Sequence, residues 1–364
     1  MSAIARYISR WSTLPRFRLS FLVMAGLALL LFWMIILSVG IGSVSISPWQ
    51  VTGILMERIG ITSPWLYEPV QSSILLNIRL PRVLLAVLVG SALAVSGAAM
   101  QGLFRNPLAD PGLIGVSSGA ALATAISMIV LSSLSFRFVE LLGSFLIPVA
   151  AFLGGTSATL IVYRLSTANG KTNVATMLLA GIAVNALAQA AIGFMIFKAN
   201  DEQLRDLTFW MLGSLGGAMW ESVWVVLPFV LAAVLFLPRL SKGLNAILLG
   251  ESEAKHLGVR VERLKKVIVV FVGLAIGAAV SVSGIIGFVG LVVPHILRLW
   301  IGPDHRFLMP GSALLGGVLL LGSDLLARTI VAPAELPIGV ITAFIGAPFF
   351  LWLLLRNREL SGYL

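Results

Sequence analysis

Residues 82–102 read RVLLAVLVGSALAVSGAAMQG, and the reading of this stretch decides the fold. None of the 20 residues after Arg82 is charged. A helix of about 20 residues rises about 30 Å, the thickness of a bilayer's hydrocarbon core. Apolar and polar residues do not alternate here as they would in a barrel strand. The stretch therefore reads as a spanning helix, which satisfies all of its own backbone in lipid. Ala86, Gly90, Ala94, Ala98 and Gly102 recur at every fourth position. Small residues on one helical face admit a second backbone at close range, which is how helices associate where the solvent is itself apolar.

The same reading extends along the chain. Of 364 residues, 59% are apolar and 11% are charged, against about 25% charged in a soluble protein. Too few polar side chains are present to cover a water-facing surface. Apolar runs between polar breaks predict ten spans, at about 19–41, 82–102, 113–133, 139–163, 174–197, 213–237, 264–284, 286–300, 308–330 and 338–355. The third and eighth are expected to be short or broken, and only the turn 283–287 separates the seventh from the eighth. The first run, Phe21 to Ile41, is longer than a signal peptide's apolar core and lacks a small-x-small cleavage pattern, so it is expected to be retained. The fold class is thus an all-α integral membrane protein, read as a single transmembrane domain over 1–364. Gly115/Gly119, Gly213/Gly217 and Gly273/Gly277 repeat the small-residue spacing.

The net charge of +10 is explained by topology. With the N-terminus inside and ten spans, 18 of the 25 Lys and Arg residues fall on the inner side and 7 on the outer, as the positive-inside rule requires. Both termini are then cytoplasmic. No basic, aromatic-interleaved soluble domain exists to bind nucleic acid. The absence of cysteine removes disulfides and thiolate metal sites.

Three apparent chemical motifs lack their context. Gly115-Val116-Ser117-Ser118-Gly119 has the spacing of a nucleophile elbow but opens an apolar span instead of following a strand. Asn169-Gly170-Lys171-Thr172 resembles the end of a phosphate-binding loop, yet Leu165 stands where its first glycine belongs. His256, His295 and His305 are far apart and read as loop residues near the inner face. Neither catalysis nor a resident cofactor or metal is expected of this chain.

The informative polar residues lie elsewhere. Asp324 and Arg328 are four apart in the ninth span, where they can pair on one helical face. Glu140 and Glu221 sit at span ends. Lone acids at mid-membrane, which a proton- or sodium-coupled carrier uses, are scarce, so an external energy source is favoured over an ion-coupled secondary transporter or a passive channel. The inner loop 244–259 reads as a short amphipathic helix with Leu248 or Leu249, Ala254 and Leu257 as apolar contacts and Gly250 and Gly258 as breaks. Pattern alone leaves open whether it lies on the membrane or docks into a partner's groove.

Several motifs carry a family resemblance from about Ile78 onward. They are Ile78-Arg79-Leu80-Pro81-Arg82; Ser96 to Gln101; Asn106-Pro107-Leu108-Ala109-Asp110-Pro111-Gly112-Leu113-Ile114-Gly115-Val116; Leu249-Gly250-Glu251; Gly287 to Arg298; and Ala334 to Val340. Together they resemble the permease family of the iron–siderophore, haem and cobalamin ABC importers. The resemblance implies a type II importer permease fold in a bacterial inner membrane. It implies a homodimer with the pathway on its two-fold axis, two cytoplasmic ATPase subunits and a periplasmic substrate-binding protein. Carried over by motif, Arg79, Arg82 and Arg328 receive acidic residues of the binding protein. Leu249, Gly250, Glu251, Ala254, Leu257 and Gly258 belong to the helix that couples to the ATPase. Asn106 and Leu108 contribute to an inner gate, as does the loop between spans four and five, where Asn173-Val174-Ala175-Thr176 departs from the family pattern. The segment 197–216 resembles the outer segment of haem importers. Haem is therefore the expected cargo, with a ferric siderophore or cobalamin as alternatives.

Overall fold

A computed structural model of the chain describes residues 16–42, 44–130 and 143–361. Arg6, Arg10, Arg137, Glu140 and the ends of the expected third and fourth spans lie outside them.

Ten helices occupy the ten expected spans: α1 Arg16–Gly40, α4 Leu80–Leu103, α5 Val116–Ile129, α6 Leu146–Leu165, α7 Val174–Lys198, α9 Trp220–Phe236, α12 Val261–Ser283, α13 Val289–Ile301, α14 His305–Thr329 and α15 Ile338–Ser361. Among the described residues, five further helices lie between them: α2 Pro48–Arg58, α3 Pro69–Ile74, α8 Asp201–Met211, α10 Ser241–Leu248 and α11 Glu251–His256. A π-helical turn, Leu75–Arg79, joins α3 to α4. The third and eighth spans are short, with 14 and 13 residues, and reach only about 20 Å. A buried turn at Pro111–Ile114 leads into the third, and the positive-φ residues Gly284 and Phe288 lead into the eighth.

The helices form a core and a rim. The most apolar window of the helical stretch Pro69–Leu103 is 83% buried, and those of α12 and α14 are each 67% buried. The corresponding windows of α1, α6, α7 and α9 are only 17–28% buried, and their outward faces carry large apolar side chains such as Phe32, Leu153, Leu187 and Leu231. Lipid is the solvent that makes such a surface stable.

Glycine sets the inter-helix distances in the core. A Cβ on Gly97 would stand 1.9 Å from the Gly290 carbonyl oxygen of α13, and one on Gly90 would stand 2.3 Å from the Gly316 oxygen of α14. Gly119 of α5 meets Gly154 of α6 in the same way, and Gly273 and Gly277 pack on Thr159 and Thr156. The expectation fails at Gly213/Gly217. α8 ends at Met211, and Gly213 is a turn residue with φ +73°, because the sixth span begins at Trp220 and leaves no helix for the pair to share.

A further difference lies at 167–172, a two-stranded antiparallel hairpin pairing Thr167 with Thr172 and Ala168 with Lys171. Asn169 and Gly170, both at positive φ, form the tight turn that an Asn-Gly pair favours.

Gly97→Ala is expected to cost about 3 kcal/mol of stability, since the clash is with backbone that cannot rotate away. Gly26→Ala in α1, where nothing lies within 4 Å, is expected to be neutral. Thermal unfolding in detergent compares the two.

Candidate functional site

Both ends of α4 end in polar networks, and the candidate sites lie there. At the end that carries Arg82, two arginines pair with two carboxylates and a third, Arg79, lies beside them. Arg82 donates from Nε to Asp324 Oδ1 at 2.9 Å, and from Nη1 and Nη2 to the two oxygens of Glu335 at 2.9 and 3.0 Å. This forked geometry is what a guanidinium offers a carboxylate. Arg328 lies 3.3 Å from Asp324 Oδ2, the i, i+4 pair that the sequence predicts, and donates to the Ser38 and Ile41 carbonyls. Arg79 donates to the carbonyls of Val39, Gly40 and Val44, completing the frayed end of α1, whose last carbonyls have no partners of their own. Arg79, Arg82 and Asp324 are buried, while the Glu335 side chain is 42% exposed. The three arginines and Glu335 line one cavity of about 330 Å³ with Ile41, Ile78 and Pro333. A lone charge at this depth is costly; Arg82 and Arg328 have carboxylate partners within the chain, whereas Arg79 has backbone carbonyls alone.

At the inner end, Gln101 donates to the Gly290 carbonyl at 3.2 Å and accepts from Arg298 at 2.9 Å. Asn106 and Leu108 follow in an exposed loop, where the Asn106 side chain accepts from the Leu108 amide at 2.9 Å. His305 corrects an expectation. It is 1% exposed, with its ring Nδ1 2.8 Å from Asn245 Oδ1, because α14 begins beneath Gly102 instead of at the surface. His295 is half-buried against Phe349 and Phe350; His256 is exposed. Among the described residues no cluster of His, Asp or Glu could hold a metal ion.

The loop 244–259 forms α10 and α11, broken at Gly250, whose φ of +129° suits glycine alone. Leu249 and Leu257 stand 69% and 66% exposed, whereas Ala254 is turned inward and fully buried. Gly258, at positive φ, ends the second helix. Two polar contacts fasten the loop. Asn245 donates to Asp304 at 2.7 Å and accepts from the His305 amide at 3.0 Å. Glu251 pairs with Lys265 of α12 at 2.7 Å. The Arg306 side chain holds the Asp304 carboxyl down at about 2, below its usual range. The Lys265 contact was not anticipated; an apolar-run reading places Lys265 only at a span's edge.

This architecture is that of a multi-span membrane permease with an exposed two-helix loop at one end of the bundle. The chain matches the model of the FecCD transport family over residues 29–356 and belongs to that family of ABC importer permeases. It is 51% identical over 284 residues to the hemin transport system permease protein HmuU of Yersinia pestis, covering 78% of this chain and 84% of that protein. It is 45% identical over 286 residues to the cobalamin import system permease protein BtuC of Halobacterium salinarum, covering 79% and 74%. A solved inward-facing structure of a metal-chelate type ABC transporter superposes with a TM-score of 0.79 at 32% identity, covering 92% of this chain and 99% of that one.

Asp324→Asn is expected to lower stability by about 3 kcal/mol, because it leaves Arg82 and Arg328 short of a buried counter-charge. Thermal unfolding in detergent measures it.

Proposed function

We propose that this chain is the non-catalytic, membrane-spanning subunit of a haem importer driven by ATP hydrolysis in a partner. Two copies form the pathway in the bacterial inner membrane, two cytoplasmic ATPase subunits dock beneath them, and a periplasmic binding protein delivers cargo. Both termini are cytoplasmic. The whole of 1–364 acts as one permease domain, with 244–259 as its coupling loop. The observation that carries the choice of haem is the 51% identity to a hemin permease across 284 residues. The cobalamin relative at 45% keeps cobalamin as the second reading, with a ferric siderophore behind.

Exposed Leu249 and Leu257 support docking over membrane contact, since they stand on a loop tied to α12 and α14 at the end of the bundle where most basic residues gather. Gly250 and Gly258 shape that loop, Ala254 packs it against the chain, and Glu251 anchors it. Asn106 and Leu108 form part of the inner gate. At the outer end Arg82, with Arg79 and Arg328 behind it, receives an acidic residue of the binding protein. Arg82 is already paired, so the arriving carboxylate displaces the half-exposed Glu335.

Three measurements test this reading. In proteoliposomes with the partner proteins, haem is expected to be taken up faster than a ferric siderophore or cobalamin; faster cobalamin uptake reverses the assignment. Glu335→Gln is expected to tighten binding-protein docking and Arg82→Gln to weaken it at least about tenfold, equivalent to about 1.4 kcal/mol; unchanged docking in both removes Arg82 from the interface. Leu257→Asp is expected to abolish ATPase association, and wild-type association refutes the docking role.

A further inference from the structure

Lys265 is the most deeply buried cation among the described residues, 1% exposed in the second turn of α12. Its ammonium meets three oxygens: the Thr172 carbonyl at 2.6 Å, Glu251 at 2.7 Å and Glu262 at 3.5 Å. An ammonium has three donors, and each has its acceptor. Glu262 also accepts from the Thr172 amide at 2.8 Å, so α12 holds both backbone groups of Thr172. The three partners belong to different segments. Thr172 is in the hairpin between α6 and α7, Glu251 opens α11 of the docking loop, and Glu262 lies in α12 itself.

We propose that Lys265 is the positioning residue that transmits movement of the ATPase-docking loop to the 167–172 hairpin, and through it to α7. The proposal rests on the docking reading of 244–259. If α11 moves away from α12, the buried Lys265 ammonium and the Glu251 carboxylate lose their match, which is costly in a poorly hydrated setting. Glu251, Lys265 and Thr172 therefore move together. Thr172 is followed by Asn173, whose side chain accepts from the Ala175 and Thr176 amides and caps α7. A displaced hairpin thus carries the α7 N-terminus with it. The most apolar window of α7 is 22% buried, so its own chain offers little resistance. Where the resemblance places a gate without assigning its residues, the structure supplies a lever whose fulcrum is Lys265.

The test uses the full importer in proteoliposomes and reads cargo moved per ATP hydrolysed. Lys265→Met is expected to lower that ratio at least tenfold while the ATPase stays bound, and Lys265→Arg to restore much of it. Glu251→Gln, which leaves Lys265 its other two acceptors, is expected to lower the ratio about threefold and guards against a misfolded Lys265→Met. The chain has no cysteine, so spin labels at Lys171→Cys and Arg105→Cys report hairpin movement directly. Their separation is expected to change with ATP, and to stop changing once Lys265→Met is added. A ratio within twofold of wild type in both Lys265→Met and Glu251→Gln overturns the inference. If Leu257→Asp meanwhile loses ATPase association, the docking reading survives that failure. Retained association in Leu257→Asp overturns both.

Discussion

Backbone lies on backbone where α4 crosses α13 and α14, at Gly97 over Gly290 and Gly90 over Gly316. In water, burial of large apolar side chains holds helices together. In lipid that drive is absent, because the tails are as apolar as leucine. Dispersion between closely fitted surfaces takes its place, and it falls off steeply with a gap of half an ångström. A helix that must be approached closely from several sides therefore needs small residues on several faces. α4 meets that demand with Gly90, Gly97 and Gly102 among its alanines and serines, and its helical stretch is the most buried of the seven long spans. The large apolar side chains are left to the rim, where they face lipid.

Because α4 is fixed, both of its ends become reference points. Arg82 at one end is held against Asp324 of α14 and against Glu335 in the segment that precedes α15. Gln101 at the other end is held against α13 and Arg298. Polar groups that would be costly at mid-membrane are placed where water can reach part of the network, as the half-exposed Glu335 shows. The arginine cluster therefore serves two demands at once. On one side it closes the open carbonyls of α1 through Arg79 and Arg328, and on the other it holds the half-exposed Glu335 carboxylate.

The spans were legible because their signal is local: a run of about 20 apolar residues is a sufficient description of a membrane crossing. The Asp324–Arg328 pair was legible for the same reason, being one helical turn apart. What escaped reading falls into two kinds. α2 and α8 are 11 residues each, too short to register in a window tuned to bilayer thickness, although Ser47/Gln50 and Asn200/Gln203 form capping boxes that announce helix starts. Asn169-Gly170 likewise carries a hairpin signal in its Asn-Gly pair, which the likeness to a phosphate loop masks. The second kind is tertiary. Arg82 and Glu335 are 253 positions apart, and Lys265 finds Thr172 93 positions away; no spacing rule reaches that far. Side chains of the loop 244–259 also divide by face in a way that pattern leaves open, with Leu257 outward and Ala254 inward.

The distribution of acids bears on the energy source. In the described spanning helices Glu221, Glu262, Asp324 and Glu359 each lie within the first or last two turns. A carrier driven by protons or sodium uses carboxylates that can lose and regain a partner near mid-membrane. Asp324 instead stands between two guanidinium groups within the last two turns of α14, a paired position away from mid-membrane. The inner end offers a contrasting kind of device. Leu249 and Leu257 stand exposed on a loop whose root is a buried ion pair to α12. In the proposed docking, work entering at that loop needs no change of protonation inside the membrane. It needs an attachment that holds while a rim helix moves, and the contrast between the buried Lys265 and the lightly buried α7 is where that proposal draws its support.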